Sequence, residues 1–191
     1  MIERYSRKEA KIIWEEKNKY KIWLDIEIAA AQAMEKLKVI PKGVSLKVKK
    51  KAKINVERIH KIEKKVHHDV IAFLTSINEK VGPQGKFLHK GMTSSDVLDT
   101  CFNIQLIQAS KILMKDIDAI LKVLKNRSAC LIANHGQIAF SENLSKAFEL
   151  AEEVENLSHQ YITALKIGKP KILSLREMQK VLGKSKNYKK G

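Results

Sequence analysis

His89-Lys90-Gly91-Met92-Thr93-Ser94-Ser95-Asp96 leads without a break into a long apolar series: Val97, Leu98, Phe102, Ile104, Leu106, Ile107, Ile112, Leu113, Ile117, Ile120, Leu121 and Leu124. Gly91 closes a loop, hydroxyl and acidic residues of the kind that cap helices follow, and no proline interrupts what comes next. This spacing predicts one long helix from Ser94 to about Leu124. Its apolar positions surround more than one face, as they do in a helix packed among other helices. A chain of 191 residues offers few such neighbours, so a bundle completed by further segments or by other subunits is expected. The long helix is the expected route to homo- or hetero-oligomers.

Upstream the chain also reads as helical. Ser6-x-x-Glu9 has the form of a capping box. Ile12, Ile13, Tyr20, Trp23, Leu24, Ile28 and Ala31 then recur at helical spacing and predict one buried face. Val39-Ile40-Pro41-Lys42-Gly43 breaks the pattern. Short helices are expected over about 44–53, 55–66 and 68–80, followed by loops at Gly82-Pro83-Gln84-Gly85 and Lys90-Gly91-Met92.

The pattern changes after Lys125. Ala129–Ala133 and Gln137–Phe140 read as two short strands joined at Asn134-His135-Gly136. A helix to about Lys166 follows, capped by Ser141 or Asn143, with Leu144, Phe148, Leu150, Ala151, Val154, Leu157 and Tyr161 on its inner face. Ser174-x-x-Glu177 offers a second capping box. The expected fold is therefore mainly α, with a strand-turn-strand-helix segment at its end.

Composition narrows the function. With 37 Lys+Arg against 21 Asp+Glu, the chain carries a formal charge of +16. Lys42, Lys47, Lys49, Lys50, Lys51 and Lys53 concentrate part of that excess, but no aromatic side chains interleave with them as stacking platforms. That pattern disfavours nucleic acid and fits a solvated face or an anionic small substrate. No apolar run reaches the roughly 20 residues that span a bilayer, so no membrane is expected. Two cysteines in unrelated contexts, Cys101 and Cys130, imply neither a disulfide framework nor a cysteine metal site, and the expected location is the cytoplasm.

Several residues could carry chemistry. Arg4 and Tyr5 pair a cation with a phenol, which serves equally to hold a phosphate or to anchor the terminus. Asp69 follows His67 and His68 where a helix opens, a position that favours an acid on structural grounds alone. His89 precedes a glycine loop. Thr93, Ser94 and Ser95 bring hydroxyls and free backbone N–H groups to a helix N-terminus, which suits a carboxylate or phosphate and suits plain capping as well.

Taken together, Met1-Ile2-Glu3-Arg4-Tyr5-Ser6, His68-Asp69-Val70-Ile71-Ala72-Phe73 and His89-Lys90-Gly91-Met92-Thr93-Ser94-Ser95-Asp96-Val97-Leu98-Asp99-Thr100 resemble the adenylosuccinate lyases of the fumarase/aspartase superfamily, from Met1 to about Lys125. The resemblance implies β-elimination of fumarate from adenylosuccinate and from succinyl-carboxamide ribotide in purine synthesis, with no cofactor. It assigns the nucleotide phosphate to Arg4 and Tyr5, and the succinyl carboxylates to Thr93, Ser94 and Ser95. His68 becomes a catalytic residue, and Asp69 and His89 bind substrate. His67 stands where relatives carry Arg. The family's Thr-His general-acid segment and its Ser-Ser-x-Met-Pro-x-Lys-x-Asn base loop have no counterpart here, so an incomplete or inactive enzyme is expected.

Residues from Lys125 onward resemble a different family. Lys125-Asn126-Arg127-Ser128-Ala129-Cys130-Leu131-Ile132-Ala133-Asn134-His135-Gly136, the series Leu144 to Tyr161 and Lys169-Pro170-Lys171-Ile172-Leu173-Ser174 resemble the closing part of class II aldolases of the fuculose-phosphate aldolase and adducin type. There the His of His-Gly, here His135, ligates a divalent metal, usually zinc. The family's His-x-His pair and catalytic Glu are missing, so zinc is implied only for a complete aldolase. The expected organisation is a lyase-like region over 1–125 and an aldolase-like fragment over 126–191, joined somewhere between Leu121 and Ser128. A metal-dependent sugar-phosphate aldolase fragment and a non-catalytic, basic, anion- or nucleic-acid-binding module are the alternative functions.

Overall fold

The computed structural model describes residue 4 and residues 6–188, with side chains through Lys184. Helix α1 (Lys8–Ile13) starts after Arg7, which caps it with backbone only. Ser6 lies one residue before that cap, and the Glu9 carboxylate pairs with the Arg7 guanidinium. The single run expected through Ile12 and Tyr20 is broken at Trp14-Glu15, and α2 (Glu16–Lys36) begins after it. The Asn18 amide holds that corner, donating to the Ile13 carbonyl at 2.8 Å and to Gln108 Oε1 at 2.9 Å. The break turns Ile12 outward, so it is exposed while Ile13 is buried.

Gly43, at φ 89° in the left-handed region where a side chain is strained, leads into α3 (Val44–Lys51). Helix α4 (Val56–Val66) is capped by Asn55, whose Oδ1 accepts from Arg58 N at 2.9 Å. It stops at His67, itself left-handed at φ 52°. Helix α5 (Asp69–Val81) follows at once with His68 as its N-cap. The expected loop at Gly82 is in fact a 3-10 turn, Gly82–Phe87.

The core lies among these helices. Tyr20, Trp23 and Phe73 are almost fully buried. Phe73 stacks on Tyr20 at 5.8 Å between ring centroids and meets Trp23 edge-on at 5.4 Å. Val44, Val48, Ile59, Ile77 and Val97 close around them. Each such side chain withdrawn from water contributes about 1.5–3 kcal/mol, which makes this cluster the main source of stability for the first part of the chain.

Helix α6 (Ser94–Leu124) runs for 31 residues as expected. Its burial departs from the sequence pattern. Only Val97, Cys101 and Gln105 are buried, all in its first half. Leu106, Ile107, Leu113, Met114, Ile117, Leu121 and Val123 are exposed. The apolar wrap around α6 therefore finds no complete partner within the described residues. Cys101 sits in apolar surroundings, and burial pushes its thiol up, against weaker lowering effects of Trp23 and Lys19.

The chain divides into two compact units, Met1–Ile117 and Asp118–Gly191. In the second, β1 (Ala129–Ile132) pairs antiparallel with β2 (Gly136–Ala139), with Ala129 opposite Ala139 and Ile132 opposite Gly136. Asn143, rather than Ser141, caps α7 (Leu144–Ile167), its side chain accepting from Lys146 N at 2.9 Å. Gln137 Nε2 ties β2 to α7 through the Ala151 carbonyl at 2.8 Å. The inner face expected for α7 is only half realised. Leu150, Ala151 and Val154 are partly buried, whereas Leu144, Phe148, Leu157 and Tyr161 are exposed. A two-stranded hairpin is too small to cover them. The Ser174/Glu177 box does form: Ser174 N and Oγ donate to Glu177 Oε2 at 2.8 and 2.7 Å, opening α8 (Leu175–Tyr188). Among the described residues no helix is long and apolar enough to cross a membrane.

Candidate functional site

His68 has extended backbone at φ −152° and caps α5 with its imidazole. Nδ1 accepts from the Ile71 N–H at 3.4 Å, and Nε2 lies 3.4 Å from Ser94 Oγ at the start of α6. With Nδ1 accepting, the neutral ring carries its proton on Nε2 and offers it to the Ser94 hydroxyl. Asp69 Oδ1 lies 3.5 Å from the same Nδ1 and accepts from Val70 N at 2.7 Å. A protonated ring would thus face a carboxylate, and a neutral one a backbone donor.

Asp96 closes the N-terminus of α6. Its Oδ2 accepts from the Thr93 N–H at 2.7 Å and from Thr93 Oγ1 at 3.0 Å, and its own N–H returns to the Thr93 carbonyl at 3.2 Å. This is the reciprocal half of a capping box. The Thr93 backbone N–H, then its hydroxyl, then the nearby His89 hold the Asp96 carboxyl below the ordinary carboxylate range. Thr93 is therefore committed to Asp96, while Ser94 is partly exposed beside His68 and Ser95 is exposed.

His89 is left-handed at φ 58°. Its Nδ1 meets Glu27 Oε1 at 2.7 Å, and its backbone N–H donates to Glu27 Oε2 at 2.7 Å. Glu27, in the middle of α2, is 1% exposed. Sequence reading missed it, because a lone acid within an amphipathic helix looks like a solvated position. The available signal was its register: Tyr20, Trp23, Glu27 and Ala31 share one buried stripe.

The structure joins His68, Asp69 and Ser94 through contacts, and links His89 to Asp96 electrostatically. His67 lines a different, shallow cavity of about 490 Å³ with His60, Glu63 and Lys64. Arg4 is exposed, and Tyr5 lies outside the described residues.

The adenylosuccinate lyase of Thermotoga maritima is 45% identical over 124 residues, which is 65% of this chain and 29% of that protein. This chain resembles adenylosuccinate lyase. A crystal structure of fumarate lyase from Mesorhizobium sp. BNC1 shares the fold, with a TM-score of 0.58 at 19% identity, over 81% of this chain and 41% of that one. The chain thus spans under half the length of either relative. The mainly helical architecture expected from the sequence is the one observed, and its fold is shared with that fumarate lyase. The Class II Aldolase and Adducin N-terminal domain family matches residues 70–162, starting in α5 and ending in α7.

That second likeness raises the question of zinc. His135 sits exposed in the hairpin turn, its Nδ1 3.3 Å from the Ala133 carbonyl. Among the described residues no three His, Cys, Asp or Glu side chains converge to hold a metal. A single exposed imidazole facing a carbonyl does not fit zinc, which takes about three protein ligands.

Proposed function

We propose that the first unit supplies part of an adenylosuccinate-lyase-type active site, which eliminates fumarate from adenylosuccinate and from succinyl-carboxamide ribotide. The observation that supports this reading most directly is the His68 ring at the mouth of α6, set between the Ile71 N–H and Ser94 Oγ in a stretch with adenylosuccinate lyase motifs. The reaction removes a proton from the carbon beside a carboxylate, breaks the adjacent C–N bond and protonates the leaving nitrogen. His68 acts as the proton-handling residue on this side, its neutral ring held at Nδ1 by the Ile71 N–H and its protonated form facing the Asp69 carboxylate. Ser94 and Ser95 take the succinyl carboxylates at the free N–H groups of α6, and Thr93 joins them by exchanging Asp96 for substrate. His89 contacts the nucleotide, and Arg4 and Tyr5 hold its phosphate.

The remaining acid and base come from segments outside this chain, brought together by oligomerisation along the exposed apolar stripe of α6. Residues 126–191 are the aldolase-like part of this reading, and no metal role is assigned to them. Activity in the cytoplasm fits this assignment.

The test is complementation. A complete adenylosuccinate lyase, inactivated at its own early histidine, is mixed with this chain, and fumarate release is followed by absorbance. Turnover in the mixture, lost when this chain carries His68→Ala, is the expected result. No turnover from a mixture shown to co-assemble would overturn the reading.

A further inference from the structure

Glu27 is a buried carboxylate whose two oxygens are both bound by one residue. Oε2 takes the His89 backbone N–H and Oε1 takes His89 Nδ1, each at 2.7 Å, and its side chain has no exposed surface. An ionised carboxylate in such a place is costly unless it is paired and hydrogen-bonded, and here His89 supplies both contacts. A carboxylate only accepts, so the proton on this side of the ring belongs to Nδ1. His89 Nε2 is then the ring nitrogen that Glu27 leaves unengaged, on a side chain 16% exposed.

We infer that Glu27 is the positioning residue of the site: it holds His89 as the Nδ1–H tautomer, with Nε2 presented to the ligand, and fixes the loop that carries it. The inference rests on the lyase reading for the identity of that ligand, the purine nucleotide, but not for the geometry. The two site histidines are thereby set in opposite senses. His68 accepts at Nδ1 and carries its proton on Nε2, whereas His89 donates at Nδ1 and leaves Nε2 bare when neutral. One ring offers a donor and the other an acceptor. A carboxylate that only filled space in α2 would have no reason to impose this difference.

The experiment is nitrogen-15 NMR of the full chain labelled at histidine, with the His89 signals assigned by their loss in His89→Gln. At a pH where the ring is neutral, wild type is expected to show a protonated Nδ1 and a bare Nε2. The opposite tautomer in wild type overturns the inference without any variant being made. Glu27→Gln gives the site an amide that donates to Nδ1, so its His89 is expected to move to the Nε2–H form; an unchanged tautomer also overturns the inference. Glu27→Asp, which keeps the carboxylate, is expected to restore the wild-type pattern. In the complementation assay Glu27→Gln should raise KM at least tenfold with a smaller change in kcat. Correct tautomers without turnover by wild type would leave the positioning intact and refute the lyase reading alone.

Discussion

Replacing Phe73 with Leu tests where the core of the first unit lies. Phe73 is 1% exposed, stacked on Tyr20 and edge-on to Trp23. Leu keeps most of the apolar volume but forfeits two ring pairs, each worth about 0.5–1.5 kcal/mol. With the small void left behind, the expected loss is about 2–3 kcal/mol. Both tryptophans, Trp14 and Trp23, lie in the first unit, so urea unfolding followed by tryptophan fluorescence reports on that unit. For a slope of about 1–3 kcal/mol per molar urea, the midpoint should fall by roughly 0.7–3 M. Phe148→Leu, on the exposed part of α7, is the control and should change stability by less than about 0.5 kcal/mol in a thermal scan. Equal and small effects at both positions would refute the assignment of Phe73 to the core. A large effect at Phe148 would show that α7 is covered in solution.

Four further outcomes are expected. A Cβ built on Gly85 would lie 1.9 Å from Asn78 Oδ1, so Gly85→Ala should destabilise by about 1–3 kcal/mol, and Asn78→Ala should relieve much of that in a double-mutant cycle by urea unfolding. Burial pushes the Tyr20 phenol up to about 12, with Glu16, Glu63 and Asp69 adding to it. A raised phenol binds its proton more tightly when folded, so this stabilisation is complete below pH 10 and fades as pH approaches 12; the Tyr20→Phe variant should lose the last phenolate transition in an ultraviolet titration. Asp96 is shifted the other way. Its contribution is complete above the ordinary value of 3.8 and is lost as pH falls through the lower folded value, so Asp96→Asn should flatten the acid limb of a circular dichroism titration. Finally, the exposed stripe of α6 should drive self-association, and Leu113→Glu with Ile117→Glu should return the chain to 21.8 kDa in sedimentation.

Most helices were legible because their ends carry local chemistry: Asn55, His68, Asn143 and Ser174 all cap where the sequence places a start. The corner at Trp14-Glu15 was not, since Asn18 makes it by reaching Gln108, ninety residues away. Burial was the weaker reading. Helical periodicity tells which residues share a face, but not whether anything covers that face, and α6 and α7 show the difference. At the site, His68, Ser94 and the α6 N-terminus stood out from their types and spacing. Glu27 did not, because its partner lies in a loop 62 residues downstream.

The backbone of His89 has a consequence for anyone who alters this protein. At φ 58° it occupies the left-handed conformation that favours glycine over residues with a side chain. Folded yield alone thus meets two opposed pulls at this position, backbone ease toward glycine and pairing of the buried Glu27 toward histidine. A library sorted for folded yield should therefore keep histidine at position 89 while Glu27 is present and lose it once Glu27 is replaced by an apolar residue.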